Sequence, residues 1–129
     1  MPRKARERSA TGCYHIMGRG INHAAIYNDD ADNMNFLHIL DFCADEDFTI
    51  FAYCLMGNHF HLLAKADADV LQHVMKAVGI RYVAYFNRRY QRDGPLFRGR
   101  YNSQPVTTKG YFLRVLRYIH RNPVAAGIV

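Results

Sequence analysis

Two apolar runs meet at a chain reversal near the middle of this sequence. Residues 48–56, FTIFAYCLM, are rich in β-branched and aromatic side chains and end at Gly57-Asn58, a pair that tends to turn the chain. Residues 59–64, HFHLLA, follow at once and read as the second strand of a hairpin. The rest of the chain has to fit around that hairpin. Before it, residues 13–21 carry the apolar and aromatic content of a strand, disturbed at Gly18-Arg19-Gly20, where a bulge at a glycine is expected. Asp29-Asp30-Ala31-Asp32 is a cluster of helix-capping residues, and Phe36, Leu37, Leu40 and Cys43 then recur at helical spacing. They predict a helix over roughly 31–45. After the hairpin, Asp67 or Asp69 caps a second helix with the stripe Leu71, Val74, Met75, Val78, Tyr82 and Tyr85. Asp93-Gly94-Pro95 forms a loop, and residues 101–106 read as a weak strand. Thr107 or Thr108 caps a last helix that runs to about Arg121 and is stopped by Asn122-Pro123.

The order strand, helix, strand, strand, helix, strand is the split βαβ arrangement. The expected class is therefore α+β, a ferredoxin-like sandwich with an antiparallel sheet and an additional C-terminal helix. With 129 residues, the chain has room for one ordinary domain. We expect residues 1–10 to form a basic, flexible arm and residues 11–129 to form that domain. Half the residues are apolar and 13% are aromatic, which supports a packed core and excludes disorder as the main state. No apolar run approaches the roughly 20 residues of a membrane span. The basic start, MPRKARERSA, lacks the apolar stretch of a secretory signal, so a cytoplasmic location is expected. Cys13, Cys43 and Cys54 are widely spaced and read as small core residues, not as a zinc ribbon or a disulfide framework.

Charge divides the chain. Residues 29–69 hold nine acids and one base, Lys65, whereas residues 76–121 hold eleven bases and one acid, Asp93. A basic half of this strength points to a polyanion, with nucleic acid the first candidate. Tyr85, Phe86, Tyr90, Phe97 and Tyr101 are interleaved among those bases. They read either as core or as surfaces on which bases stack.

The sharpest local motif is His59-Phe60-His61. On a strand, residues i and i+2 share a face. The two imidazoles therefore project together, at a spacing suited to one divalent ion, while Phe60 and Leu62 point into the core. On the last helix, Phe112, Val115, Leu116 and Ile119 form an apolar stripe, and Arg114, Arg117 and Arg121 form a basic ridge. Tyr118 and Asn122, one turn apart, lie at the border between them. The motif and the border together are compatible with phosphoryl transfer. In that chemistry a metal on His59 and His61, with the Asn122 amide oxygen as third ligand, neutralises developing charge on a phosphate. Mg²⁺ and Mn²⁺ are both acceptable. The residues alone also admit a surface histidine pair, and a boundary tyrosine followed by a C-capping asparagine.

The segments RGIN (19–22), MGNHFHLL (56–63), GPLFRGRY (94–101) and YIHRNPVAAG (118–127) resemble those of the REP-associated tyrosine transposases. These belong to the single-tyrosine HUH transposases of bacteria, where HUH stands for histidine, hydrophobic residue, histidine. The resemblance covers nearly the whole chain, in order. It implies a metal held by His59, His61 and Asn122, a nucleophilic Tyr118, and a ferredoxin-like fold. It also implies cleavage and rejoining of single-stranded DNA near hairpins through a 5′-phosphotyrosine link. Arg98, Arg100, Arg114, Arg117 and Arg121 are the expected DNA-binding residues. Tyr90, Tyr101 and Tyr111 also lie among bases, but Tyr118 alone has a metal-competent side chain one turn on. Members of that family commonly continue beyond the NPVAAG block; some act as dimers and others as monomers, so a homodimer stays open. Two other readings remain. One is a non-catalytic module that binds single strands. The other is a phosphoesterase without tyrosine chemistry, one form of which needs a second histidine motif, whereas His15, His23, His38, His73 and His120 each stand alone in the sequence.

Overall fold

A computed structural model describes residues 8–121, with the side chains of His120 and Arg121 excepted. Most of the basic arm, Asn122 and the NPVAAG block therefore lie outside the described residues. The elements are β1 (Cys13–Arg19), α1 (Asp30–Cys43), β2 (Thr49–Met56), β3 (His59–Lys65), α2 (Ala68–Arg89), β4 (Asn102–Pro105) and α3 (Lys109–Arg121). The sheet is antiparallel throughout, in the order β2-β3-β1-β4. This is the α+β sandwich expected from the element order. None of the described helices is long and apolar enough to cross a membrane.

Each element starts and stops for local reasons. Asp29 caps α1, its carboxylate accepting the Asp32 amide at 3.0 Å. Asp67 occupies the N-cap of α2 without a side-chain hydrogen bond. Thr108 caps α3, its hydroxyl accepting the Tyr111 amide at 3.1 Å. Gly57 and Asn58 make the two-residue turn between β2 and β3. The expected bulge at a glycine of β1 is absent. The β1–β3 register runs unbroken from Cys13↔Lys65 to Arg19↔His59, and the irregularity falls in β2, between Ile50 and Ala52. Gly18 answers packing instead: a Cβ there would stand 2.3 Å from the Phe60 ring.

Alternation in the strands builds a core on each face. Tyr14, Ile16, Phe60 and Leu62 meet Phe36 and Leu40 of α1 and Leu71, Val74, Val78 and Tyr82 of α2. The α2 stripe closes on Phe86, not on Tyr85 as its spacing suggested. Tyr85 turns its hydroxyl to Asp32 Oδ1 at 2.7 Å. On the opposite face, Val115 and Ile119 of α3 cover Ala52, Cys54, Leu63 and Val106. That apolar contact holds α3 across β2 and β3 and leaves the start of β3 beside it.

Fully buried Asp32 ties the two long helices together. It accepts hydrogen bonds from the Asn28 amide, Tyr85, Tyr90 and Arg89, at 2.9, 2.7, 2.6 and 2.6 Å. Burial pushes its carboxyl up, but these donors outweigh that and hold it below the ordinary carboxylate range. Arg89 also pairs with Asp29 at 2.7 Å. One cation of the basic half is thus engaged in the fold, and Tyr85 and Tyr90 orient to Asp32. Phe86 is buried and is core, not a surface for bases. Phe97 and Tyr101 also pack against the core but remain partly exposed. Cys54 is buried, whereas Cys13 and Cys43 are only partly so, and all three are free thiols.

Candidate active site

β3 sends Phe60, Leu62 and Ala64 into the helix-covered core. Its odd-numbered positions project from the other face. Leu63 lies beneath α3, and the two positions nearer the turn are His61 and His59. Their ring centroids stand 5.2 Å apart. His61 is nearly buried and His59 half-buried.

The outer nitrogens of this pair are set by their neighbours. His59 Nδ1 lies 2.7 Å from Asn58 Oδ1. An amide oxygen only accepts, so Nδ1 carries the proton and Nε2 keeps its lone pair. His61 Nδ1 lies 3.0 Å from His15 Nε2, the two rings stacked with centroids 5.2 Å apart. With the proton on His61 Nδ1, His61 Nε2 also keeps its lone pair. Burial, then the like charges of His15, His59 and Arg19, push His61 down to about 4. Burial, then Arg19, lowers His59, and burial lowers His15. All three imidazoles are therefore neutral near pH 7.

Two neutral imidazoles with Nδ1 anchored and Nε2 left with its lone pair suit a divalent ion such as Mn²⁺. Among the described residues no three His, Cys, Asp or Glu side chains group as metal ligands. His59 and His61 would be two of its ligands, and Asn122, which the sequence offers as a third, lies outside the described residues.

Tyr118 directly precedes Ile119, one of the residues by which α3 packs on the sheet. Its ring meets His61 edge to face, with centroids 5.2 Å apart, and 51% of the residue is exposed. Other tyrosines of the basic half are engaged elsewhere: Tyr90 donates to Asp32 and Tyr111 to Gln104, at 2.6 and 2.8 Å.

Cations surround the pair. Arg19 ends β1 directly opposite His59 in the register. Its carbonyl accepts the Arg98 amide at 2.8 Å, which brings residues 97–101 alongside. Arg19, His23, Asn58, His59 and His61 line a cavity of about 290 Å³. Arg19, Arg98, Arg100 and Asn102 line a neighbouring one of about 220 Å³. Arg98, Arg100, Arg114 and Arg117 are exposed, and the Arg114 guanidinium stands 5.7 Å from the Tyr111 ring centroid. The Arg121 side chain lies outside the described residues.

Sequence reasoning missed His15, Arg19 and His23. His15 is not isolated in space, although it stands alone in the sequence. The usable signal was parity: His15 and Arg19 share a face of β1, and a split βαβ sheet pairs β1 with β3. His23 follows Asn22, and both have left-handed backbones, at φ 61° and 52°.

The family described as "Transposase IS200 like" matches residues 9–122. No match is found among curated proteins. Among solved structures, a REP-associated tyrosine transposase bound to a REP hairpin superposes with a TM-score of 0.68 at 14% identity, covering 100% of this chain and 76% of that one. A putative transposase from Deinococcus radiodurans R1 superposes with a TM-score of 0.59 at 18% identity, covering 93% of this chain and 95% of that one. At these identities the likeness is one of fold.

Proposed function

The chain belongs to the IS200-like transposase family, and from that premise we propose that it cleaves and rejoins single-stranded DNA beside hairpins through a covalent tyrosyl–DNA intermediate. The observation that carries this reading is the contact of Tyr118 with His61: a half-exposed phenol 5.2 Å, ring to ring, from one of two neutral imidazoles that share a cavity. The hairpin partner is supported by the similar transposase solved with a REP hairpin.

Tyr118 Oη attacks the phosphorus of the scissile diester. A bond forms between Oη and phosphorus, the bond from phosphorus to the 3′ oxygen breaks, and the electron pair leaves on that oxygen. The phenol proton is lost and the 3′ oxygen ends as a hydroxyl, so the step is neutral in protons and reversible by the same hydroxyl. His59 and His61, with Asn122, would hold a divalent metal, and such an ion would supply charge neutralisation at the scissile phosphate. His15 and Asn58 hold the two rings through Nδ1 and leave each Nε2 its lone pair. Arg19, Arg98 and Arg100 take the phosphates beside the break, and Arg114 and Arg117 add positive potential along α3.

Incubation with a single-stranded hairpin oligonucleotide and Mn²⁺ tests this. The expected product is a protein–DNA species that survives denaturation. Tight binding without any such species would instead mark a non-catalytic binder.

A further inference from the structure

One histidine at the active-site cavity has no task in the reaction described above. His23 lines that cavity together with Arg19, Asn58, His59 and His61, and it is exposed. His15 and His61 are joined through their ring nitrogens, and His59 is held by Asn58. The side chain of His23 makes no hydrogen bond, ion pair or ring contact among the described residues.

The backbone holds this residue at the site. The Gly20 amide donates to the Asn58 carbonyl at 2.8 Å, and the Ile26 and Tyr27 amides donate to the Gly57 carbonyl at 2.7 and 3.2 Å. A Cβ on Gly20 would collide with the Ala24 carbonyl oxygen. Residues 20–27 are thereby folded tightly against the β2–β3 turn, with Asn22 and His23 both left-handed. That conformation is unfavourable for a residue with a Cβ and persists where the surrounding structure imposes it. The turn lies at the His59 end of the histidine pair, whereas Tyr118 makes its ring contact with His61, further along β3. In an in-line displacement the attacking and leaving oxygens stand on opposite sides of phosphorus. With Tyr118 Oη on the His61 side, the 3′ oxygen leaves on the His59 side, where His23 lies.

We propose that His23 is a catalytic residue, whose protonated imidazole gives a proton to the departing 3′ oxygen. This rests on the cleavage reading given above. The other residues that line the cavity are unsuited to the task. Met17, Gly18 and Gly20 have no side-chain proton to give. The Arg19 guanidinium keeps its protons, and the Nδ1 protons of His59 and His61 are engaged by Asn58 and His15. An imidazole can give and take a proton near neutral pH. As the bond from Oη to phosphorus forms, the bond from phosphorus to the 3′ oxygen breaks. The electron pair left on that oxygen takes the His23 proton, the phenol proton passes to water, and His23 ends neutral. In rejoining, neutral His23 takes the proton of the attacking 3′-hydroxyl. The bond from phosphorus to the tyrosyl oxygen then breaks, and that oxygen recovers a proton from water.

The test changes the leaving atom. In a hairpin oligonucleotide whose scissile 3′ oxygen is replaced by sulfur, the thiolate departs without needing a proton, because a thiol is far more acidic than an alcohol. His23→Asn keeps the left-handed backbone, which asparagine tolerates, and has no proton to transfer. On the oxygen substrate it should form the covalent adduct about 100-fold or more slowly than wild type. On the sulfur substrate the two proteins should react at the same rate. His23→Gly, which is at home at positive φ, should behave alike. Hairpin affinity, read by fluorescence anisotropy, and Mn²⁺ affinity, read by electron paramagnetic resonance, should equal those of wild type in both variants. Equal slowing on both substrates, or no slowing on either, overturns the proton transfer and leaves the proposed function standing. A loss of hairpin or Mn²⁺ affinity that accounts for the slowing makes His23 a binding residue and also overturns it. Absence of any adduct from wild type on both substrates overturns the proposed function, and this inference with it.

Discussion

His15 Nε2 lies 3.0 Å from His61 Nδ1 across the β1–β3 pair, with the rings stacked. One nitrogen has to donate, and donation by His61 leaves its Nε2 free for a metal. His15→Phe should therefore weaken Mn²⁺ binding by about 10–100-fold. His15→Gln, whose side-chain oxygen accepts a hydrogen bond, should recover part of the loss. Titration of Mn²⁺ into metal-free protein, followed by electron paramagnetic resonance, reads both. Nitrogen NMR of the metal-free wild type should show His61 protonated at Nδ1. Unchanged Mn²⁺ affinity in His15→Phe would remove the orienting role.

Acid should unfold the protein partly through Asp32. Its carboxyl is held below its ordinary value in the fold, so the unfolded chain binds that proton more readily. The resulting stability is complete above the unfolded value, roughly pH 4, and is lost as pH falls through the lower folded value. Asp32→Asn should flatten the acid limb of a curve of melting temperature against pH. Asp32→Ala should cost roughly 2–4 kcal/mol by leaving buried donors unpaired, measured by urea unfolding. An acid limb identical to wild type in Asp32→Asn would assign acid unfolding to other groups.

The arginines fall into two kinds. Arg98 and Arg100 are exposed and share a cavity with Arg19, and replacing either with Gln should lower the log–log salt slope of single-strand binding by about 0.7. Arg89 is engaged with Asp29 and Asp32. Arg89→Gln should lower the melting temperature and leave that slope unchanged. A slope change in Arg89→Gln equal to that of Arg98→Gln would place Arg89 on the DNA.

Gly18 should tolerate no side chain. A Cβ there would overlap the Phe60 ring at 2.3 Å, so Gly18→Ala should cost about 1–3 kcal/mol by overpacking, again by urea unfolding. A neutral effect would mean that Phe60 moves freely, which its buried place in the core argues against.

The topology could be read from the sequence because each element announced itself. Gly57-Asn58 fixed the hairpin, period two put His59 and His61 on one face, and the α3 stripe put Val115 and Ile119 toward the sheet with Tyr118 at its border. Contacts between distant elements were not visible in that way. His15 carries no mark of its partner until β1 is paired with β3. Tyr85 fits the α2 stripe by spacing, yet a buried carboxylate on α1 draws its hydroxyl away and Phe86 takes the core position. The glycine of β1 looked like a bulge because its partner, Phe60, is 42 residues along the chain. Period and capping are local, whereas the choice between neighbouring aromatics depends on what the other helix buries.

The most direct test of the account is the covalent adduct itself. Wild-type protein, hairpin DNA with a single-stranded flank, and Mn²⁺ should give a species that survives denaturation, with the DNA mapped to the peptide containing Tyr118. Tyr118→Phe should fold, bind Mn²⁺ and bind DNA as wild type does, yet give no adduct at all, because no atom is left to form the ester. An adduct that persists in Tyr118→Phe and maps to Tyr101 or Tyr111 would contradict the account.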